Sequence, residues 1–341
     1  MFDLKTITRA NIVNLTAYSS ARDEFTGSEG LFLDANENPY GELNRYPDPY
    51  QTELKREIAK VKNENPSNIF IGNGSDEIID LLFRIFCEPG KDSALTFSPT
   101  YGMYDVAAAI NNIELIKIPL NSGFQINEAS LEEYLVNPKL KLILICSPNN
   151  PTGNLIDSSV IERIASSFNG IVLIDEAYIE FSESNSCIGL LSIYPNLIIS
   201  QTFSKARGLA AARIGLAYSN PNIINLLNRV KPPYNVSTLN QQAAIEAIGD
   251  LDKFEKNKAQ ILKNKKILSD ALNQVRIVEK VYPSEANFFL IKTRNANAVY
   301  NALVQQKIII RNRNNVIENC LRITVGTKQE NNSLVEALKL M

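Results

Sequence analysis

The sequence predicts an α/β fold with a large, mainly parallel β-sheet and a smaller α+β domain. Short runs rich in β-branched residues alternate with helical patterns, which is typical of a parallel sheet covered by helices on both faces. The alternation stops at Lys231 to Tyr234, where two prolines cannot continue a helix. The chain has 341 residues, more than a single hydrophobic core usually contains, so two packed units are expected.

The large sheet is predicted from its strands, which are expected at Asn68 to Ile71, Ser93 to Phe97, Ile113 to Ile118, Leu140 to Cys146, Ile171 to Ile174, Leu197 to Gln201 and Ile214 to Tyr218. Ligands of such sheets bind beyond the carboxyl ends of the strands. After the prolines, a long amphipathic helix is expected from about Thr238 to Val275. Further strands are predicted near Asn287 to Ile291, Ile308 to Arg311 and Leu321 to Val325.

The first forty or so residues contain Gly27, Gly30, Pro39 and Gly41 and show no strong hydrophobic period, so they predict an extended arm. The expected organisation is an arm at 1–45 that packs with the small domain, a large domain at 46–235 and a small domain at 236–341.

Composition excludes several classes of protein. Lys and Arg number 35 against 37 Asp and Glu, so the chain has no basic field with which to bind nucleic acid. No segment offers the roughly 18 unbroken apolar residues of a membrane helix. The four cysteines are widely scattered, and the N-terminal residues lack the apolar stretch of a signal peptide. We therefore expect a reducing, cytoplasmic location.

The chain contains no histidine. Ser-His-Asp and Cys-His catalysis and most zinc sites need an imidazole, so these chemistries are excluded and no metal site is expected. Proton transfer must fall to Lys, Tyr, Asp, Glu or Cys side chains.

The segment IVLIDEAY is predicted to place Asp175 at the ligand edge of the sheet, with Tyr178 three residues later. A P-loop ATPase is excluded because Gly90-Lys91, the only Gly-Lys pair, is followed by Asp92. A carboxylate at this place can keep a heteroaromatic nitrogen protonated. An ordinary helix cap is the alternative for Asp175.

Three other strand ends carry candidate residues. Lys205 follows a strand in QTFSKARGLAAARIGLAY and precedes Arg213 across a run of small residues, although a surface lysine is the alternative. In IFIGNGSDE a helix is expected to begin at Ser75, where backbone N–H groups suit a phosphate; the alternative is a tight turn. The strand in LILICSPNNPTGN is predicted to bring Asn150 to the ligand edge of the sheet, and an ordinary loop is the alternative.

Six segments in the correct order resemble the fold-type I PLP-dependent aminotransferases, and among them the histidinol-phosphate aminotransferases: GNGSDE, SPTYGMY, CSPNNPTG, LIDEAYIEF, TFSKARGLAAARIG and CLRITVGT. The resemblance extends from LDANENPYGELNRYP to LRITVGT and covers nearly the whole chain. It implies the fold-type I architecture, pyridoxal 5'-phosphate (PLP) as cofactor and a homodimer with shared active sites.

The resemblance also implies roles for individual residues. Lys205 corresponds to the Schiff-base lysine and Asp175 to the partner of the pyridine nitrogen. Tyr178 and Asn150 resemble the partners of the cofactor's ring oxygen, and Tyr101 resembles the ring stacked on the pyridine face. The implied phosphate cup consists of Gly74, Ser75, Asp76, Ser204 and Arg213.

Residues outside this set are implied to bind the substrate or the other subunit's cofactor. Tyr46 resembles the tyrosine that one subunit contributes to the phosphate of its neighbour. Arg322 resembles the arginine that binds a substrate anion in a bidentate manner, with Arg311 and Tyr18 as helpers. Arg313 is a rival of Arg311, and the alternative for both is a solvated strand edge. Asn36 resembles a pocket residue near the arm.

The implied reaction exchanges an amino group between histidinol phosphate and 2-oxoglutarate, giving imidazole acetol phosphate and glutamate, in histidine biosynthesis. A pyridinium held protonated by Asp175 is a suitable electron sink, and the free Lys205 amine can move the proton. Because this requires a neutral amine, we expect burial and nearby cations to lower the Lys205 pKa. The alternatives are an aromatic or other amino acid aminotransferase, a threonine-phosphate decarboxylase, and a non-catalytic PLP-binding protein.

Overall fold

The computed structural model describes residues 2–18 and 30–341. Its α-helices in chain order are α1 (Leu4–Ile7), α2 (Ala10–Val13), α3 (Thr52–Lys62), α4 (Ser75–Phe86), α5 (Met103–Ile110), α6 (Glu132–Leu135), α7 (Ser158–Ser167), α8 (Pro221–Val230), α9 (Thr238–Gly249), α10 (Leu251–Leu272), α11 (Ala296–Gln305) and α12 (Lys328–Lys339). Its strands are β1 (Ile69–Asn73), β2 (Ser93–Ser98), β3 (Glu114–Pro119), β4 (Leu140–Cys146), β5 (Ile171–Asp175), β6 (Leu197–Thr202), β7 (Ile214–Ser219), β8 (Val278–Val281), β9 (Phe288–Thr293), β10 (Arg311–Asn312) and β11 (Cys320–Thr324).

The larger sheet has the strand order β1-β7-β6-β5-β4-β2-β3. Strand β7 runs antiparallel to both of its neighbours, whereas β2, β3, β4, β5 and β6 pair in parallel. The predicted α/β fold with a mainly parallel sheet is therefore confirmed. Each predicted strand of this sheet lies within two residues of an observed one.

Strand β4 shows why this sheet carries helices on both faces. Leu142 and Leu144 belong to the hydrophobic cluster on one face, whereas Ile143 and Ile145 belong to the cluster on the other. Successive side chains of a strand point to opposite faces, so an unbroken run of aliphatic residues needs cover on both. Helices α4, α5 and α8 contribute to one cluster, and α3, α7 and α9 contribute to the other.

The smaller sheet is antiparallel and has the order β10-β11-β9-β8. It packs with α10, α11 and α12 around a hydrophobic cluster of its own, which includes Leu268, Ile291, Leu303 and Leu334. This is the smaller α+β unit that the sequence predicts. Helix α9 packs elsewhere, because its Ala244 lies in a cluster of the larger sheet. The domain limits at 45 and 235 stay a prediction.

The region after the prolines differs from the predicted single helix at 238–275. The helix is interrupted at Asp250, whose carboxylate accepts a hydrogen bond from the Lys253 backbone N–H at 3.1 Å and caps α10. A side chain that binds the free N–H groups of a first turn favours a new helix over continuation of the old one. The strand expected at 308–311 is present only as Arg311–Asn312.

The N-terminal residues 2–14 correct the predicted packing of the arm. Ile7 and Ile12 lie in a cluster of the larger sheet, and the Arg9 backbone N–H donates to the Ile85 carbonyl at 3.0 Å. Arg9 also pairs with Glu88 at 3.1 Å. This part of the arm therefore packs on α4 of the large domain and not on the small domain, because its two short helices each carry an isoleucine that needs an apolar surface.

In the described part of the chain, no helix has both the length and the hydropathy that crossing a bilayer requires.

Candidate active site

A cavity opens at the carboxyl ends of β4, β5 and β6, beside the first turn of α4. It is lined by Ser75, Asp76, Tyr101, Cys146, Asn150, Asp175, Ala177, Tyr178, Thr202, Ser204, Lys205, Ala210 and Arg213. Parallel strands end at the same edge of a sheet, so residues from distant segments meet there. The fold thus brings most of the predicted cofactor-binding residues into one cavity, and Gly74 adjoins them at the N-cap of α4.

Asp175 is buried at the end of β5. Its carboxylate accepts hydrogen bonds from the Tyr104 hydroxyl at 2.9 Å, the Ser200 hydroxyl at 3.3 Å and the Ala177 backbone N–H at 3.3 Å. Burial raises the Asp175 pKa, and these three hydrogen bonds oppose the shift. No helix begins directly after Asp175, since the next one is a short 3-10 helix at Ile179–Phe181. In the described part of the chain, none of the hydrogen-bond partners of this buried carboxylate is a basic side chain, so the site is suited to a cationic ligand.

Lys205 enters the cavity from the loop between β6 and β7. Its ammonium nitrogen lies 5.6 Å from the centroid of the buried Tyr178 ring. The side chain remains accessible from the open cavity, but partial desolvation lowers its pKa, and the charge of Arg322 lowers it further. Asp175 and Asp76 oppose this shift. The predicted direction of the Lys205 shift agrees with the structure.

The predicted phosphate cup is formed where two distant segments touch. Gly74 has a φ of 78°, and its N–H donates to the Arg213 carbonyl at 2.8 Å. A Cβ atom on Gly215 would lie 2.3 Å from the Gly74 carbonyl carbon, so β7 passes directly against this turn. The Arg213 guanidinium lies 3.4 Å from Asp76 and 3.5 Å from the Ser204 hydroxyl. Because α4 begins at Ser75, the unpaired N–H groups of its first turn add to this guanidinium charge.

A group of arginines lies on one face of the smaller sheet. Arg322 donates to the Asn150 side-chain oxygen at 2.5 Å, which connects β11 to the cavity. Arg311 is the direct cross-strand partner of Arg322, so both side chains are on the same face. Burial and the neighbouring Arg322 and Arg311 lower the pKa of Arg313, whose Nε is buried and has no hydrogen-bond partner among residues 2–18 and 30–341. Three adjacent guanidinium groups favour an anionic ligand.

Tyr18, Asn36 and Tyr46 do not line this cavity, and neither do Arg311 and Arg322. Tyr46 stacks on Tyr234 with ring centroids 4.4 Å apart and lines a different cavity, which it shares with Asn36. Tyr18 is 68% exposed. The structure of the single chain therefore leaves Tyr18, Asn36 and Tyr46 as predictions.

Tyr104 and Ser200 were missed by the sequence reasoning, although both bind Asp175. Tyr104 lies in the first turn of α5, and its ring packs edge-on against the ring of Tyr101, with the centroids 5.7 Å apart. Ser200 is the register partner of Asp175 across the β5–β6 pair. The closeness of Tyr104 to Tyr101 in the sequence and the strand register of Ser200 were therefore the signals that could have identified them.

Residues 24–338 match the family model "Aminotransferase class I and II". The chain belongs to the class I and II aminotransferase family and is an enzyme of that kind. The match spans the cavity, both sheets and nearly all of the described chain.

Similar proteins carry a more specific name. The histidinol-phosphate aminotransferase of Christiangramia forsetii is 49% identical, covering 99% of this chain and 98% of its own. That of Cytophaga hutchinsonii is 47% identical over 99% of both chains. The solved histidinol-phosphate aminotransferase of Clostridium acetobutylicum is 25% identical with a TM-score of 0.80, covering 87% of this chain and 90% of that one. The resemblance found in the sequence is thereby confirmed.

A further solved structure is described as the histidinol-phosphate aminotransferase of Sinorhizobium meliloti in complex with pyridoxal-5'-phosphate. It is 24% identical, has a TM-score of 0.80, and covers 90% of this chain and 89% of that one. At this identity it supports the fold alone.

Proposed function

We propose that this enzyme transfers an amino group between histidinol phosphate and 2-oxoglutarate, with PLP held on Lys205 as a Schiff base. The products would be imidazole acetol phosphate and glutamate, a reaction of histidine biosynthesis. The observation that carries the proposal is the cavity in which Lys205, the buried Asp175 and the first turn of α4 converge. The names of the similar proteins, which are histidinol-phosphate aminotransferases, support the choice of substrate.

The chemistry of the cavity fits PLP at three points. The first turn of α4 and the Arg213 guanidinium suit a phosphate dianion. The buried Asp175 suits a protonated ring nitrogen, because burial of a carboxylate charge is costly and a cation offsets that cost. The Lys205 amine, with its lowered pKa, is the nucleophile that an aldehyde requires.

When bound, PLP supplies an electron sink for the bond that breaks at the substrate carbon. Asp175 keeps the ring nitrogen protonated, and its three hydrogen bonds hold the carboxylate in place. Tyr178 and Asn150 are proposed to bind the ring oxygen, and Tyr101 to lie against the ring face. Lys205 holds and moves the proton, since a lowered pKa keeps more of its amine neutral and able to accept one.

Arg322 is proposed to bind the substrate anion in both half-reactions: the α-carboxylate of glutamate in one and the phosphate of histidinol phosphate in the other. Arg311 and Tyr18 are the proposed helpers, and Asn36 the proposed pocket residue near the arm. The proximity of Arg322 to Asn150 supports this assignment, because it places the guanidinium beside the cavity that holds Lys205.

A substrate panel tests the proposed function. Purified protein loaded with PLP is offered histidinol phosphate with 2-oxoglutarate, and glutamate formation is measured. Phenylalanine with 2-oxoglutarate and threonine phosphate are offered in parallel. Glutamate from the first mixture at the highest kcat/KM supports the proposal. Release of carbon dioxide from threonine phosphate, or a preference for phenylalanine, would assign one of the alternative activities.

The Arg213→Ala variant is expected to retain PLP more weakly. One charge-assisted contact to a phosphate dianion is lost, which corresponds to roughly 1.5–3 kcal/mol of binding free energy. Dialysis against PLP-free buffer, followed by absorbance, measures retention. Arg163→Ala is the control, because Arg163 pairs with Glu128 and Glu132 away from the cavity. Equal retention in both variants would contradict the role of Arg213 in the phosphate cup.

We also propose a homodimer in which Tyr46 of one subunit serves the phosphate of the other. In the single chain Tyr46 does not line the cavity of Lys205, and it is 49% exposed. The same region exposes Leu31, Leu33 and Leu43, which are large apolar side chains suited to burial in an interface.

Mixing the Lys205→Ala and Tyr46→Ala variants tests these shared sites. A heterodimer of the two has one site with both native residues, so transaminase activity at limiting PLP should exceed that of either variant alone. Sedimentation measures the oligomeric state in the same samples. A native protein that is active as a strict monomer rules out the shared site.

A further inference from the structure

The side chain of Arg207 is buried although it lies only two residues after Lys205. It is 3% exposed, and its guanidinium carbon lies 3.7 Å from the centroid of the Phe254 ring. One of its nitrogens, Nη2, lies 3.3 Å from the Glu180 carboxylate. The other terminal nitrogen, Nη1, donates to the Ala247 carbonyl at 3.5 Å. No part of the proposed function uses Arg207.

The loop between β6 and β7 directs the side chains of Lys205 and Arg207 into different cavities. The Gly208 N–H donates to the Lys205 carbonyl at 3.0 Å, and the Leu209 N–H donates to the Phe203 carbonyl at 2.9 Å. This tight turn lets Lys205 line the active-site cavity while Arg207 lines a separate one with Phe254. The backbone between the two side chains is short, so a displacement of Arg207 moves Lys205.

Glu180 has the corresponding relation to Tyr178, because it also lies two residues further along the chain. The Tyr178 ring packs edge-on against Phe288 at 5.1 Å in a cluster that includes Phe254. The Arg207–Glu180 ion pair therefore joins two loops that carry different cavity residues. The Arg207 guanidinium lies over the ring of Phe254, which is in the first turn of α10, the helix that leads to the smaller sheet.

The energetics of the Arg207–Glu180 ion pair favour a role in positioning the two loops over a role in stabilising the fold. Burying two charges is expensive, and replacing a buried ion pair by apolar residues is often neutral or stabilising. Arg207 Nε is also buried without a hydrogen-bond partner in the described residues. The face of Phe254 offsets part of the cost, because an arginine above an aromatic ring is attracted by its quadrupole.

We propose that Arg207, with Glu180 as its partner and Phe254 as its support, is a positioning residue that fixes the Lys205 loop relative to the Tyr178 loop. This inference rests on the proposed function, in which Lys205 carries PLP and moves the proton. Arg207 does not line the active-site cavity, so it acts through the two loops that carry Lys205 and Tyr178.

Arg207→Met and Lys62→Met in the PLP-loaded enzyme form the matched test. Lys62 also pairs with Glu180, at 3.4 Å, but it lies at the end of α3, far from the Lys205 loop in the sequence. Arg207→Met is expected to lower kcat about 10- to 100-fold, as a misplaced catalytic group does, with KM little changed. It should also displace the pH midpoint of the cofactor's visible absorbance, which reports the surroundings of Lys205. Lys62→Met should change neither.

Glu180→Gln keeps the side-chain shape and serves if Arg207→Met does not fold. It is expected to displace the pH midpoint of the absorbance as Arg207→Met does. The double variant should have a kcat no lower than either single variant, because both substitutions remove the same Arg207–Glu180 interaction. The inference is overturned if the losses in kcat of the two single variants add in the double variant. It is also overturned if both single variants keep the native absorbance midpoint and the native kcat per folded molecule. Absence of a Lys205-bound chromophore in the native protein would instead overturn the proposed function.

Discussion

Lys205→Ala should abolish transamination, with kcat lowered by roughly 10⁴-fold or more, because both covalent attachment and proton transfer are lost. Lys205→Arg should be equally inactive, since it restores the positive charge but neither attaches the cofactor nor releases a proton. Glutamate formation from histidinol phosphate and 2-oxoglutarate measures the rate. Substantial turnover by either variant would contradict the proposed role.

Borohydride reduction provides the matching structural measurement. In the native enzyme the reduced cofactor should be found on the peptide that contains Lys205. Lys265→Met is the control, because Lys265 is another partly buried lysine whose pKa is lowered by desolvation, and it lies outside the cavity. This variant should be labelled at Lys205 as the native protein is. Label on Lys265 in the native enzyme would show that lysine reactivity follows burial and not the site.

Asp175→Asn is expected to lower kcat by at least about 100-fold, the size of effect seen when a charge-stabilising group is removed from an active site. Asparagine has nearly the same shape, but it cannot offset the positive charge of a protonated ring nitrogen. The pKa of that nitrogen should fall, and the cofactor should lose its capacity as an electron sink. Steady-state kinetics and the cofactor absorbance measure the two effects.

Glu176→Gln is the matched control for Asp175. Glu176 is the next residue and is equally buried, but its carboxylate binds Ser186, Gln201 and the Cys187 N–H outside the cavity. Glu176→Gln should therefore keep the native kcat per folded molecule. If the two substitutions lower kcat equally, the effect comes from disturbing the β5 strand end and not from the lost charge at the cofactor.

The sequence predicted the cavity because its residues follow strands. Asp175 is the last residue of β5, and Asn150 and Lys205 follow β4 and β6 after short connections. The ends of parallel strands converge whatever the side chains are. The break at Asp250 was not predicted, because the helical pattern continues through it and a single capping side chain decides the outcome. The prediction that residues 2–14 pack with the small domain was wrong, since two isolated isoleucines do not specify which apolar surface will cover them.

Arg207 shows a different limit of the sequence. Its two decisive contacts, with Glu180 and Phe254, come from segments on either side of it in the chain, and no periodicity connects them. A buried arginine was therefore indistinguishable from a surface one until the segments were placed in space.

The contact between Gly74 and Arg213 has a consequence for synthesis of the protein. The phosphate cup contains the carboxyl end of β1 and the entry to β7, and β7 is inserted between β1 and β6. A nascent chain on the ribosome that ends before β7 has the α4 turn but lacks the segment that closes it. If the cup holds the cofactor phosphate as proposed, the growing polypeptide can bind the cofactor only after β7 has been translated and has paired with β1.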